Sequence, residues 1–374
     1  MSDVRQRGLL EELRARFGDR CKAPPDDTGG ALAIVSPVDA SGVEFLAKIS
    51  HRSGVRILPV GAGTVPETDT SDALLVTFDL MRGMSLGERP GDTVEVEPGV
   101  PWIQLEDHLQ QRGASLRVYP TSAPQTTVGG WLHLDGMGVG SYEFGWLSEN
   151  VASVEIVGPG GTRRRVDGRE LASARGEEAA IIVSATLETR PSASDVPFAA
   201  AFDGPDELAG AVREIASRDV PLWHLSLANA PMIRAFGHPE DEQILYGAYP
   251  GERSSETEGT LWEAIARHDG RRLPAADAHR IWGSRFYPSG VAGGAPYPGS
   301  ILLPLEGLEY FLSQTDSRLG TVALQGSVSR TGEVLLLAFG HGAGGVSELG
   351  PSGKRALLDM AREQGGREYR GEPG

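Results

Sequence analysis

"TTVGGWLHLDGMGVGSYEFGW", residues 126–146, sets six glycines among bulky aromatic side chains. The spacing Gly136-x-Gly138-x-Gly140 has the look of a dinucleotide-binding turn, and Gly61-Ala62-Gly63 follows a strand-like run earlier in the chain. A Rossmann reading needs a long apolar helix after such a turn and an acidic residue ending the next strand. The first turn is followed by Val65-Pro66-Glu67-Thr68-Asp69 and the second by the polar, broken "SYEFGWLSEN", so the reading fails twice. What remains is close backbone approach. Without a Cβ in the way, successive N–H groups converge on the oxygens of an anion. Thr64, Thr127 and Ser141 add hydroxyls at the loop edges. The competing reading makes these the tight turns of a β-rich domain, and spacing alone leaves both open.

Outward from this stretch the chain divides in two. "ALAIVSPVDASGVEFLAKISHRSGVRILPVGAG" reads as strand, helix and strand, with Ser41 or Asp39 as helix cap and Gly54 as its end. "ALLVTFDL" (73–80) and "TVEVEPGV" (93–100) are strand-like, and "PWIQLEDHLQQRG" opens on proline and closes on glycine as a helix does. "VASVEIVGPGGTRRRVDG" is a hairpin turning at Pro159-Gly160-Gly161, and "AAIIVSATLETRP" is a buried strand. Beyond residue 193 the dense glycines stop. Helical stretches at 257–268, 305–315 and 351–364 and a hairpin at 321–340 suit an α+β domain with an antiparallel sheet. The expected domains are 1–193 and 194–374.

Composition narrows the function. The chain has 374 residues and a formal charge of −16, a balance that repels nucleic acid and anionic membrane surfaces. No apolar run reaches the ~18 residues of a membrane span, and "MSDVRQRGLLEELRARF" lacks the apolar core of a signal peptide. Cys21 is the only cysteine, which excludes internal disulfides and cysteine-based metal sites. A reducing cytoplasm is the simplest location.

Six blocks resemble, in order, the FAD-binding domain of the vanillyl-alcohol oxidase, or PCMH, type. They are "IVSPVDASGVEFLAKISHRSGVRILPVGAGT", "VTFDLMRGMS", "VEVEPGVPWIQLEDHLQQRG", "YPTSAPQTTVGG", "GVGSYEFGWLSENVASVEIVGPGG" and "IIVSATLETRP". The resemblance implies two α+β subdomains holding FAD, followed by an α+β substrate or cap domain. It places Val60, Gly61, Ala62, Gly63 and Thr64, with Thr127, Val128, Gly129 and Gly130, around the pyrophosphate through backbone N–H groups. Pro120, Thr121 and Ser122 would pass along the flavin, Ser141 and Gly145 would line the cofactor, and Ile182 would approach it through its backbone. Three departures stand out. Thr64 replaces the histidine that often carries covalent flavin, so non-covalent FAD is expected. Trp131-Leu132-His133-Leu134-Asp135 replaces small residues and would crowd the site. Ala179-Ala180 stands where the family has glycine before the last strand.

The reaction must draw substrate groups from the second domain. "HRIWGSRFYP" (279–288) resembles the W-x-x-R-F segment of the glycolate and D-lactate oxidising branch. Arg285 is then the candidate to fork onto a substrate carboxylate; the alternative is an arginine packed beside aromatics. His341, in "FGHGAGG", matches the first histidine of that branch's Gly-His-x-Gly-Asp-Gly-Asn-x-His motif, and a histidine can take a hydroxyl proton while hydride leaves for flavin N5. Gly344 and Glu348 replace the motif's Asp and second His, so no metal site is expected, and His341 could equally be structural. The histidines at 51, 108, 133, 224, 238, 268 and 279 lack ligand spacing and read as structural or exposed, with His133 held in reserve near the glycine tract. The expected function is FAD-dependent oxidation of a small 2-hydroxy acid. Two alternatives stay open: a sugar or alcohol oxidase, or a flavin-carrying subunit without substrate chemistry. Short flavoproteins of this branch often work beside an iron–sulfur or other electron-acceptor subunit, and one cysteine cannot hold such a cluster.

Overall fold

The computed structural model of the chain describes residues 3–25, 28–62, 69–89, 91–174, 180–192, 194–238, 241–286, 298–342 and 345–369. The chain forms two compact units: Met1–Leu116, Ala123–Asp135 and Ser148–Pro191 make the first, and Arg117–Ser122, Gly136–Leu147 and Ser192–Gly374 the second. The last crossing, at Pro191 and Ser192, lies beside the 193/194 division read from sequence. Two short excursions belong to the second unit although they lie within the first stretch of chain.

The first unit holds two sheets, as two α+β subdomains require. One has four strands in the order Cys21–Lys22, Ala33–Val35, Ala73–Thr77, Arg56–Val60, and its last three run parallel. The other is antiparallel, in the order Met84–Leu86, Val94–Val96, Ile181–Leu187, Val151–Val157, Arg163–Val166. Helix Ala40–Ser53 packs Val43, Leu46 and Ile49 into the core with Leu13, Val35, Leu74 and Val76. Burying each such side chain contributes roughly 1.5–3 kcal/mol.

The ends of that helix follow the sequence signals closely. Asp39, not Ser41, is the cap: its carboxylate accepts from Gly42 N–H at 2.8 Å and from Ser41 Oγ at 2.7 Å. Gly54 closes the helix at φ +73°, a conformation costly for any residue with a Cβ. The Ser41 hydroxyl and then the Gly42 N–H hold the Asp39 carboxyl below its usual range. Asp39→Ala should therefore cost about 1 kcal/mol at neutral pH, read as a lowered thermal midpoint. A depressed carboxylate stabilises above its unfolded-state pKa and loses that contribution as pH falls through its folded-state value. The gap between wild type and variant should accordingly close in acid.

The second unit is built on an antiparallel sheet of nine strands among the described residues. Its central run is Asp195–Phe202, Gln243–Pro250, His224–Ala228, Val322–Val328, Glu333–Gly342 and Gly299–Pro304. One face carries Leu225, Leu227, Leu245, Leu324 and Leu336 against helices Pro205–Ser217, Ser254–Arg267, Leu308–Leu319 and Pro351–Glu363. The opposite face carries Ala201, Ile244, Tyr246, Leu335, Leu337 and Phe339, packed by the helices Ala230–Ala235 and Ala275–Gly283. No helix of the described residues is long and apolar enough to cross a membrane.

Two features differ from the sequence reading. The tract after Thr127 is helix Val128–Leu134, not an open loop, so Gly129 and Gly130 sit in a first helical turn. The helices Ala230–Ala235 and Ala275–Gly283 are the second difference. The first of them is six residues long, too short for an apolar period to declare itself. Its cap is nonetheless visible in "NAPM", where Asn229 Oδ1 accepts from Met232 N–H at 3.1 Å.

Candidate functional site

The glycines of the opening stretch divide into those that serve packing and those that leave space. A Cβ on Gly138 would lie 2.3 Å from Tyr119 O, and one on Gly140 would lie 1.8 Å from Arg117 O. The two backbones are pressed together by reciprocal hydrogen bonds between Tyr119 and Val139, at 3.1 and 2.9 Å. These glycines hold the fold of the second unit. Gly129 is likewise packed, with a Cβ meeting Pro98 Cβ at 2.6 Å.

Gly130 is different. A Cβ there would meet only Thr127 Oγ1, at 3.4 Å, and its φ is not in the left-handed region. Neither packing nor backbone conformation demands a glycine. Across from it lies Gly61, whose Cβ would fall 2.9 Å from Thr127 Oγ1 and 3.6 Å from Gly130 Cα. Gly61, Thr127 and Gly130 thus line one cradle in the first unit, where two backbones approach as closely as glycine permits and a Cβ on Gly61 would already crowd Thr127. An N–H and a hydroxyl brought together in this way fit the chemistry of the FAD pyrophosphate.

The hydrogen bonds narrow which atoms can take part. Val128 N–H donates to Val100 O at 2.8 Å and Gly129 N–H to Pro98 O at 2.9 Å, so both are already engaged. Gly130 N–H has no acceptor among the described residues. Ala62 is exposed and Val60 half-buried at the end of its strand, while Gly63 and Thr64 lie outside the described residues. At Ile182 the ladder shifts register, pairing Ile182 with Ile156 but Ser184 with Glu155; such a bulge frees backbone from the sheet. Trp131 turns into the core of its own unit, edge-on to Trp102 at 5.4 Å, and His133 is exposed. Of the Ala179-Ala180 pair, Ala179 lies outside the described residues.

The other expected flavin-lining residues, Pro120, Thr121, Ser122, Ser141 and Gly145, all belong to the second unit. Ser141 is fully buried and its Oγ accepts from Gly138 N–H at 2.9 Å. Gly145 takes φ +72°.

In the second unit Arg285 is held from all sides. Its guanidinium lies 4.4 Å from the ring centroids of both Trp282 and Phe286. Nε donates to Tyr119 Oη at 3.1 Å and Nη1 to Trp282 O at 2.9 Å, while Nη2 has no partner among the described residues. The single Nε proton is thereby used, so a carboxylate can fork only onto the Nη1–Nη2 end. His341 stands half-buried near the end of strand Glu333–Gly342, paired with Val346. Strand alternation puts it on the face of Leu337, which is opposite Gln325, but four residues further on, roughly 13 Å. Gly344, at the motif's altered Asp position, lies outside the described residues.

Beside Arg285 the sheet carries a buried polar array that sequence reading passes over. Gln325 is 1% exposed; its Nε2 donates to Arg285 O at 2.8 Å and to Tyr246 Oη at 3.0 Å. Ser226 lies directly opposite Tyr246 in the ladder. Ser226 Oγ lies 2.8 Å from His224 Nε2, and His224 Nδ1 accepts from Gly140 N–H at 3.1 Å. Burial pushes the Tyr246 phenol up, so it stays protonated. Trp223 and Trp282, edge to face at 5.3 Å, flank the array. His224, which reads from sequence as structural or exposed, is 1% exposed with both ring nitrogens engaged. The signal that could have found the array is polar residues at alternate positions, His224-Leu-Ser226 and Gln325-Gly-Ser327, within strands buried on both faces.

Known proteins share this domain and this fold. Residues 31–167 match the family model of the FAD binding domain. Alkyldihydroxyacetonephosphate synthase of Dictyostelium discoideum is 29% identical over 162 residues, covering 42% of this chain and 25% of that protein. Mitochondrial D-lactate dehydrogenase [cytochrome] 1 of Saccharomyces cerevisiae is 23% identical over 226 residues, covering 55% of this chain and 38% of that protein. The matches thus span well under two thirds of these relatives' own lengths. Among solved structures, an alkyldihydroxyacetonephosphate synthase superposes with a TM-score of 0.76 at 16% identity, over 98% of this chain and 81% of the other, a likeness of fold.

Proposed function

Because the chain belongs to the PCMH-type FAD-binding flavoprotein family, we propose that it is an FAD-dependent oxidoreductase acting on a small 2-hydroxy acid of the glycolate or D-lactate kind. The observation that carries the acid substrate is Arg285, held over the rings of Trp282 and Phe286 with Nη2 unpartnered among the described residues. An arginine so fixed loses little side-chain freedom on binding a carboxylate. The D-lactate dehydrogenase relative supports the same substrate class. FAD, when bound, accepts the hydride that such an oxidation releases. The chain's own residues bind and orient: Gly61, Thr127 and Gly130 receive the pyrophosphate, and Arg285 orients the acid. His341, on the same sheet face but roughly 13 Å further along its strand, is proposed as the eventual acceptor of the proton that the oxidation releases, beyond direct reach of the hydroxyl. Onward electrons go to a partner subunit, a quinone or a diffusing acceptor, since Cys21 alone cannot ligate a cluster.

The purified protein should be yellow, release FAD rather than FMN into the supernatant on acid precipitation, and bleach anaerobically with D-lactate or glycolate. Flavin left in the precipitate would refute the non-covalent reading of Thr64. Bleaching by sugars or polyols but by no hydroxy acid would replace the acid substrate with a neutral one, and no bleaching at all would leave a flavin-carrying subunit.

A further inference from the structure

The polar array beside Arg285 has a fixed direction, and it ends on two unused groups. Gly140 N–H can only donate, so His224 Nδ1 carries no proton and the ring's proton sits on Nε2. His224 Nε2–H then donates to Ser226 Oγ. Arg285 O can only accept, which fixes the Gln325 amide with Nε2 toward it and toward Tyr246. Tyr246 Oη accepts from Gln325 Nε2, and its own proton has no acceptor among the described residues. Gln325 Oε1, fully buried, has no hydrogen-bond partner among the described residues. An orphaned buried acceptor costs about 1–3 kcal/mol, and here it lies next to a buried donor in the same condition.

We propose that Tyr246 and Gln325 form a recognition site for an alcohol hydroxyl, which accepts from the Tyr246 phenol and donates to Gln325 Oε1. A hydroxyl is the smallest group that offers both a donor and an acceptor from one atom. A carboxylate would set its charge against Oε1, and an ammonium would find nothing to take the phenol proton. Since Gln325 Nε2 also binds the backbone oxygen of Arg285, the hydroxyl site is tied to the residue proposed to hold the carboxylate. The inference rests on the proposed oxidation only in taking this hydroxyl as the group to be oxidised.

The test uses the flavin-loaded protein, photoreduced under nitrogen so that no turnover occurs, and titration calorimetry. Two pairs are compared: D-lactate with propionate, and 1,2-propanediol with 1-propanol. In the wild type the hydroxylated member of at least one pair should bind at least about tenfold more tightly. That gap should shrink to within about threefold in Tyr246→Phe and Gln325→Leu. Tyr246→Phe decides alone if the Gln325 variant fails to fold. Equal binding within both pairs, no binding of any compound, or a gap that Tyr246→Phe leaves intact each overturns the hydroxyl site. A Tyr246-dependent gap in the neutral pair only would keep this site and remove the acid substrate. Bleaching of the oxidised wild type by D-lactate with a gap indifferent to Tyr246 would do the reverse.

Discussion

Gly130→Ala should yield protein that is purified without FAD, yet is more thermostable than wild type stripped of its flavin. The two halves of this expectation have separate causes. Gly130 lies in helix Val128–Leu134, where replacing glycine by alanine stabilises by roughly 0.5–1 kcal/mol. The new methyl meets only Thr127 Oγ1 at 3.4 Å, an ordinary contact. It would stand, however, where Gly61 and Gly130 meet, beside the Gly130 N–H, which lacks an acceptor among the described residues. Gly129→Ala is the control. Its methyl would press on Pro98 at 2.6 Å, so it should destabilise the chain whether or not FAD is present. Flavin content by absorbance and the melting temperature of the apoprotein separate the two. Stoichiometric FAD in a folded Gly130→Ala protein would show that the cradle is not the pyrophosphate site.

This contrast marks where sequence reading reaches its limit. Gly129 and Gly130 are identical letters in one motif, and only the position of Pro98 tells packing from space. The helix Ala40–Ser53 is legible because its signals are local: a capping Asp39, a buried face and a closing Gly54 within one short window. The glycine tract reads as loop because glycine disfavours helix, and tertiary packing of Trp131 and Leu132 outweighs that preference. Arg285 is legible through its aromatic neighbours in sequence, Trp282 and Phe286. Tyr246, Ser226, His224 and Gln325 are not, because they come from three strands and meet only through the register of the sheet. The same holds for the split of the flavin-lining segments. Nothing local in Arg117–Ser122 or Gly136–Leu147 says that they pack with the second unit.

Arg285→Lys should raise the half-saturating concentration of an acid substrate by about ten- to a hundredfold, because the loss falls on a charge-assisted hydrogen bond worth roughly 1.5–3 kcal/mol. Lysine keeps the positive charge but not the fork. It also gives up the Nε bond to Tyr119 and the Nη1 bond to Trp282 O, which aim the guanidinium. FAD content should not change, since the proposed pyrophosphate contacts Gly61, Thr127 and Gly130 belong to the other unit, and the Arg285 guanidinium hydrogen-bonds Tyr119 and Trp282 rather than Pro120, Thr121, Ser122, Ser141 or Gly145. Stability should fall by about 1 kcal/mol, for an ammonium over the Trp282 and Phe286 rings retains only part of the stacking of a planar group. A substrate series separates the possible roles of the side chain. Propionate and D-lactate should weaken together, because both present the carboxylate, whereas 1,2-propanediol should be indifferent. Equal weakening of acid and diol would mean that Arg285 acts through its backbone hold on Gln325 and not through its charge. Unchanged affinity for every acid would assign Arg285 to packing alone, and the carboxylate would need another partner.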